Sequence, residues 1–563
     1  MSWVPTQWLG SKFAFQISTA VVAICGGFIG LNLKFEDLDQ PWKVGETDLS
    51  SVYATADVVR WPFYYVSQEY GFPTGANFGT QVIPDDVPYM ALGLLRWVTG
   101  SPILAVNTFV LLSFAFTALA MLWTCSRLGI RRLVSFPISL ATAWAPYVFV
   151  RLLYGHAVLA SIWTIPLFFY LILSSHDNDA KLSYKKRVAL GLLIGASSAY
   201  YGFFSFLIAT FVLVGTLAIE IYNSRRVRLV AAGKEFGCHL TFVLPSLVHV
   251  ALDRLHGNVS PIQRSVAESL KFAGDLRNVF IPFGFPQVFS DTLTLRQEYE
   301  WSPVSVLTVI GIILMLFMFS SGDDRIGIIR TVLLVGILFF TAGGLGVVFA
   351  DVIFPGYRAW ARLTPFIVVA AHLGLGLVLK KTNCHSSAHI AMPILVVVLT
   401  ALAGLQIRDA RQDISPAVSA SAHPREVGTY LDAIALIQNE FSEDCGVLQL
   451  PPMRTFEGGD VGGVKNGDQF WPGILSENYR WSYGVIKGTA AADYWFAQAW
   501  FARIYGTPTE TFQKETSPKI CAVWASTDIE SFRTLKLVRN TFQITSFNAK
   551  QFGSHVIMHL RIS

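Results

Sequence analysis

The stretch PILAVNTFVLLSFAFTALAMLWT, residues 102–124, contains no charged side chain. As a helix it is long enough to cross a hydrocarbon core about 30 Å thick. A soluble domain has no need for so long an uncharged run, so the stretch reads as a membrane span. Outward from it, comparable apolar runs occur at 13–33, 133–150, 157–174, 188–199, 203–222, 236–252, 303–320, 331–350, 364–379 and 389–406, and then stop. The pattern predicts about eleven spanning helices. Phe13–Leu33 is read as the first span rather than a signal peptide. It is too long for an h-region, and Cys25-Gly26-Gly27 is a poor cleavage site. The run at 188–199 is short and ends at Ser197-Ser198-Ala199-Tyr200-Tyr201-Gly202, so its turn is expected to dip into the membrane.

Composition agrees. Charged residues make up 14% of the chain, against about 25% in an ordinary soluble domain. The net charge of +5 belongs to the short loops and does not indicate nucleic-acid binding. Arg127, Arg131 and Arg132 follow the second span. Lys181, Lys185, Lys186 and Arg187 follow the fourth, Arg225, Arg226, Arg228 and Lys234 the sixth, and Lys380 and Lys381 the tenth. All of these loops share one side if the N-terminus is cytoplasmic, which is the positive-inside pattern. Segments 34–101, 253–302, 351–363 and 407–563 then lie outside.

The expected fold is an all-α polytopic membrane bundle, residues 1–406, with a C-terminal extracytoplasmic α/β domain, residues 407–563. In the tail, 426–440 has helical spacing. Gly446–Leu450, Cys521–Ala525, Thr541–Phe547 and His555–Ile562 read as strands. Cys445 and Cys521 are candidates for a disulfide in an extracytoplasmic domain, with the Cα separation left to the fold.

No P-loop, dinucleotide fingerprint, Gly-x-Ser-x-Gly or Cys/His metal spacing is present. The chemistry-bearing residues gather in the first outer loop, which carries Glu46, Asp48, Asp57, Asp85 and Asp86 among Tyr53, Trp61, Tyr64, Tyr65 and Tyr89. Carboxylates accept hydrogen bonds from sugar hydroxyls and can take a proton from one, and aromatic faces pack on sugar rings. A solvated loop with an interfacial helix is the plainer alternative. His156, in Tyr154-Gly155-His156 at a membrane exit, is either an interfacial residue or a ligand for a phosphate or hydroxyl. Arg358 and Arg362 stand four apart on the outer side, against the charge bias. Arginine forks around phosphate; lipid-headgroup contact or an ion pair with Asp351 is the alternative.

Three stretches carry a resemblance: Gly45-Glu46-Thr47-Asp48, Phe72-Pro73-Thr74-Gly75-Ala76-Asn77, and Pro84-Asp85-Asp86-Val87-Pro88-Tyr89. Together they resemble the first outer loop of GT-C-type integral membrane glycosyltransferases and related bacterial membrane proteins called sugar translocases. Tyr479-Arg480-Trp481-Ser482-Tyr483-Gly484 is similar to a tail motif of such proteins. The resemblance implies Asp48 as general base, with Glu46 as its rival, and Asp86 as a second catalytic acid, with Asp85 beside it. It implies that His156, Arg358 and Arg362 bind substrate. The implied reaction moves a sugar from a polyprenyl-phosphate donor to an envelope glycan, lipid or protein acceptor at the outer face of a bacterial inner membrane. The implied partners are the polyprenyl-phosphate-linked sugar, a glycan or glycolipid acceptor and the bilayer, with no nucleic acid. No cofactor is demanded and no metal ligand is assigned; a divalent metal ion stays open. The rival functions are a lipid-linked sugar flippase and a non-catalytic envelope assembly protein.

Overall fold

The computed structural model describes residues 12–42, 47–59, 66–72, 75–78, 85–175, 182–223, 229–255, 265–283, 300–317, 324–382, 388–413, 424–441, 445–450, 466–476, 479–483, 520–526, 544–552 and 555–562. Among these, six helices are long and apolar enough to cross a membrane: Phe13–Gly30, Pro102–Arg127, Arg132–Leu153, Ala199–Tyr222, Trp360–Lys380 and Pro393–Gln412. A bent pair, Leu229–Leu240 with Leu244–Leu252, makes a seventh if counted as one span, and Thr164–Ser174 and Val306–Phe317 are shorter apolar helices.

Helix Pro102–Arg127 carries its own start and stop signals. The Ser101 hydroxyl accepts a hydrogen bond from Leu104 N, Pro102 occupies the first turn, and Arg127 lies in the last.

The expected spans differ from the observed helices at several backbone breaks, most of them at or beside proline or glycine. The run at 133–150 becomes Arg132–Ala143 and Pro146–Leu153, because Pro146 opens a new helix. The run at 236–252 bends by 55° between Leu240 and Leu244, just before Pro245. The run at 331–350 is not one helix. Asp324–Phe340 stops, Gly343 takes φ +74°, and Leu345–Val352 begins afresh. The short run before the expected dip is Tyr184–Ser197. Ser198 is extended, with φ −163° and ψ 125°, and a new helix begins at Ala199.

The bundle is tied internally by a polar chain. The ring nitrogens of buried His372 lie 2.9 Å from Thr142 Oγ1 and 3.1 Å from Thr308 Oγ1, so three helices share one satisfied imidazole. A second tie fixes the first loop. Fully buried Asn107, in the 102–127 helix, donates to the carbonyls of Leu38 and Gln40 and accepts from the Tyr53 hydroxyl at 2.7 Å. Tyr53 belongs to helix Thr47–Val58, which begins beside Asp48. The bundle thereby sets the pose of the helix that carries the expected base.

The first loop also forms a two-stranded antiparallel pair, β1 (Val66–Ser67) and β2 (Ala76–Asn77). The tail builds a five-stranded sheet from β3 (Gly446–Leu450), β4 (Arg480–Trp481), β5 (Ile520–Ser526), β6 (Ile544–Phe552) and β7 (His555–Ile562), in the order β4-β3-β5-β7-β6. β3 runs parallel to β4 and β5, and β7 is antiparallel to β5 and β6. Helix Pro424–Glu440 covers it, with Tyr430 stacked on Trp524 at 5.8 Å. Cys445 and Cys521 are disulfide-bonded, with Cα atoms 5.8 Å apart.

The Tyr479–Tyr483 motif docks on the first loop. Trp481 N donates to Glu69 O at 2.7 Å, and Phe72 N donates to Trp481 O at 3.0 Å. A parallel bridge between Tyr70 and Trp481 thus joins the first loop to β4.

Candidate functional site

Asp48 lies in the first turn of its helix and faces the turn that closes the 132–153 span. The approach depends on glycine. Gly155 has φ +74°, and a Cβ there would stand 2.8 Å from Leu49 N. Glycine alone adopts this left-handed conformation freely and also leaves room for the neighbouring backbone. The next residue, His156, then places Nε2 2.6 Å from Asp48 Oδ2.

Burial would raise the Asp48 pKa. The hydrogen-bonded His156, with Arg362 and Arg358 beyond it, outweighs that effect and holds the carboxyl below its ordinary range. Burial lowers the His156 pKa, and Arg362 and Arg151 add to this; the attraction of Asp48 does not reverse it. The consistent state near pH 7 is an ionised Asp48 accepting a proton bond from a neutral His156. The Asp48 side chain remains 42% exposed, so it is open to a substrate. His156 Nδ1 is buried without a hydrogen-bond partner among the described residues.

Beside this pair lies a cluster of buried charge. Arg151, fully buried, binds the Glu300 carboxylate and donates to Trp301 O at 2.8 Å. The Tyr147 and Tyr154 rings flank it. Arg362 Nε lies 3.7 Å from the same Glu300 oxygen, too far for a hydrogen bond. The guanidinium instead sits over the Tyr200 ring at 4.3 Å, and its Nε is buried with no partner among the described residues. Burial works against Glu300 ionising, but Arg151, Arg362 and His156 together hold its pKa below the ordinary value. Arg362 therefore keeps donor capacity available, while Glu300 is a fixed negative charge next to it.

The other described candidates each have a different partner. Asp85 is buried, and its Oδ1 accepts from Ala199 N at 3.0 Å, capping the helix that restarts after Ser198. Burial pushes its pKa up to about 7. Asp85 thus holds a helix end rather than an open site. Asp86 pairs with His249 Nε2 at 2.7 Å, on the bent helix pair. Arg358, expected to grip the ligand, is held by Glu268 at 2.7 Å and lies over Phe272 at 4.5 Å. Neither arginine pairs with Asp351 among the described contacts. Glu46 lies outside the described residues. No group of three or more His, Cys, Asp or Glu able to hold a metal ion occurs among the described residues.

Reading the sequence passed over Glu300, Arg151 and His249. Arg151 carried a signal: a lone charge at the end of an apolar run must find a partner in the bundle. Glu300 had none, because its partners are 149 residues upstream and 62 downstream.

No protein-family profile and no curated protein sequence matches this chain. Solved structures do. The arabinofuranosyltransferase AftD from Mycobacteria aligns over 100% of the chain with a TM-score of 0.51 at 14% identity. ArnT from Cupriavidus metallidurans, solved bound to undecaprenyl phosphate, aligns over 98% of each chain with a TM-score of 0.47 at 11% identity. The chain has the GT-C membrane fold. It spans about two fifths of the AftD structure, 40% of that chain. Within this fold, the Asp48 helix and the His156 turn meet beside the buried Arg151–Glu300 pair.

Proposed function

We propose that the protein is a membrane glycosyltransferase that moves a sugar from a polyprenyl-phosphate donor to an envelope glycan, lipid or protein acceptor. The observation that carries this reading is the juxtaposition of two groups. One is an ionised, reachable carboxylate, Asp48, steadied by His156 at 2.6 Å. The other is a largely buried guanidinium, Arg362, whose Nε has no hydrogen-bond partner among the described residues. Glycosyl transfer to a hydroxyl needs both: a base for the acceptor proton and a fixed cation for the charge developing on the leaving phosphate.

Asp48 accepts the acceptor's proton as the new glycosidic bond forms. Arg362 receives the phosphate as its bond to the sugar breaks. His156 orients Asp48. Arg358, held by Glu268, adds positive field to the same end of the bundle. Asp86 and His249 border the acceptor side. In this reading the chain crosses a bacterial inner membrane about eleven times. Its acids lie outside, where a carrier-linked donor replaces cytosolic nucleotide sugars, and its tail binds the acceptor.

The test is turnover by protein in nanodiscs given a panel of polyprenyl-phosphoryl pentoses and hexoses, read as released polyprenyl phosphate. Turnover lost in Asp48→Asn and Arg362→Gln, with normal folding, supports the proposal. Full turnover in both variants, or none with any donor in the unmodified protein, refutes it.

A further inference from the structure

Arg362, the candidate phosphate ligand, shares its surroundings with a carboxylate. Glu300 Oε1 is bonded to Arg151 and lies 3.7 Å from Arg362 Nε, while Glu300 Oε2 is buried with no hydrogen-bond partner among the described residues. An acid so close to an anion-binding guanidinium weakens that guanidinium's grip on phosphate. The Glu300 side chain is 8% exposed, so water screens this repulsion poorly. Arg151 neutralises part of that charge but does not bond the ligand itself: it is fully buried, and its Nη atoms are held by Glu300 and Trp301 O.

The charge of the ligand changes during the proposed reaction, and the inference rests on that reading. The donor is a phosphodiester with one negative charge. When the acceptor oxygen bonds to the sugar carbon, its proton goes to Asp48. The electron pair of the broken bond stays on the phosphate oxygen. The carrier is left as a phosphomonoester, which carries close to two charges at neutral pH and above. Arg362 with Glu300 beside it, and Arg358 already held by Glu268, suit the single charge better than the double one.

We propose that Glu300 determines this specificity: it lets the site hold the monoanionic donor and repels the dianionic carrier left after transfer, so that product departs. Arg362 attracts, Arg151 anchors Glu300 at a fixed position, and Glu300 sets how much charge the site tolerates. A purely structural Glu300, serving only to neutralise buried Arg151, would make no distinction between the two ligands.

The test measures binding of two synthetic ligands of equal chain length at pH 8: a polyprenyl methyl phosphodiester and the polyprenyl phosphomonoester. In the unmodified protein the diester should bind at least as tightly as the monoester, despite its smaller charge. In Glu300→Gln the monoester should gain roughly tenfold relative to the diester, the scale of one partly screened unit charge at close range. A monoester that binds the unmodified protein tenfold tighter overturns the proposal, and so does an unchanged ratio in Glu300→Gln. If Glu300→Gln fails to fold because Arg151 loses its counter-ion, the ratio in the unmodified protein still decides. Failure of both ligands to bind the unmodified protein points instead to failure of the functional reading and takes this inference with it.

Discussion

Replacing Gly155 by alanine tests whether the Asp48–His156 contact is the working centre. Two costs arise at that position. The left-handed φ of +74° strains any L-residue by about 1–2 kcal/mol. The new Cβ would also stand 2.8 Å from Leu49 N and 3.1 Å from Leu49 Cβ. Backbone cannot yield as a side-chain tip can, so the His156 turn and the Asp48 helix must part. Restoring ordinary van der Waals contact takes a separation of about half an ångström, which stretches the 2.6 Å pair beyond good hydrogen-bond geometry. A misplacement of about 1 Å near reacting groups can cost roughly a hundredfold in rate, so a loss of about ten- to a hundredfold in kcat is expected. Gly100 provides the control. Its φ is +72°, but nothing lies within 4 Å of a Cβ there. Gly100→Ala should lose about 1–2 kcal/mol of stability and keep its kcat. Both variants are assayed by polyprenyl phosphate release and by thermal unfolding in the same nanodiscs. Wild-type kcat in Gly155→Ala, or equal loss of kcat in both, refutes the reasoning.

Three further outcomes are expected. Arg362→Gln should lower transition-state stabilisation by about 2–4 kcal/mol, while Arg358→Gln, which removes a cation already held by Glu268, should lower it by less; kcat/KM for the two variants checks the order. Asp57, buried near Glu69 and paired with Arg96 and the Tyr70 hydroxyl, has its pKa raised to about 7. Because the folded state holds that proton more tightly than the unfolded chain, Asp57 contributes stability that is fully present below its unfolded value near 4 and lost as pH rises through about 7. Asp57→Asn should flatten the fall in melting temperature between those limits, and an unchanged slope sinks the assignment. Replacing Cys445 and Cys521 together by serine should cost the tail about 4 kcal/mol, given their sequence separation of 76, seen as faster proteolysis of the tail without change in the helical signal.

The membrane class was legible because a long uncharged run such as 102–124 has few other uses. The tail's helix and most of its strands were legible from local periodicity. Helix Pro424–Glu440 and strands Gly446–Leu450 and His555–Ile562 fall where their patterns put them. The breaks inside spans were less visible. Hydropathy averages over Pro146, Pro245 and Gly343, whereas the backbone responds to each of them.

At the site, residue type together with the family resemblance nominated Asp48, His156, Arg358 and Arg362, and Asp48 pairs with His156 and feels both arginines. It could not separate Arg362 from Arg358, since both are arginines four residues apart. Only the folded chain supplies Glu268 to one and leaves Nε unfilled on the other. Nor could it divide the adjacent acids, Asp85 to a helix cap and Asp86 to His249.

By itself, then, the sequence determined the solvent of each segment, because transfer between water and hydrocarbon depends on composition over a local window. The tertiary structure decided which charge neutralises which. A buried ion pair such as Arg151–Glu300 joins residues 149 positions apart, and electrostatic energy depends on distance in space, which no local pattern encodes.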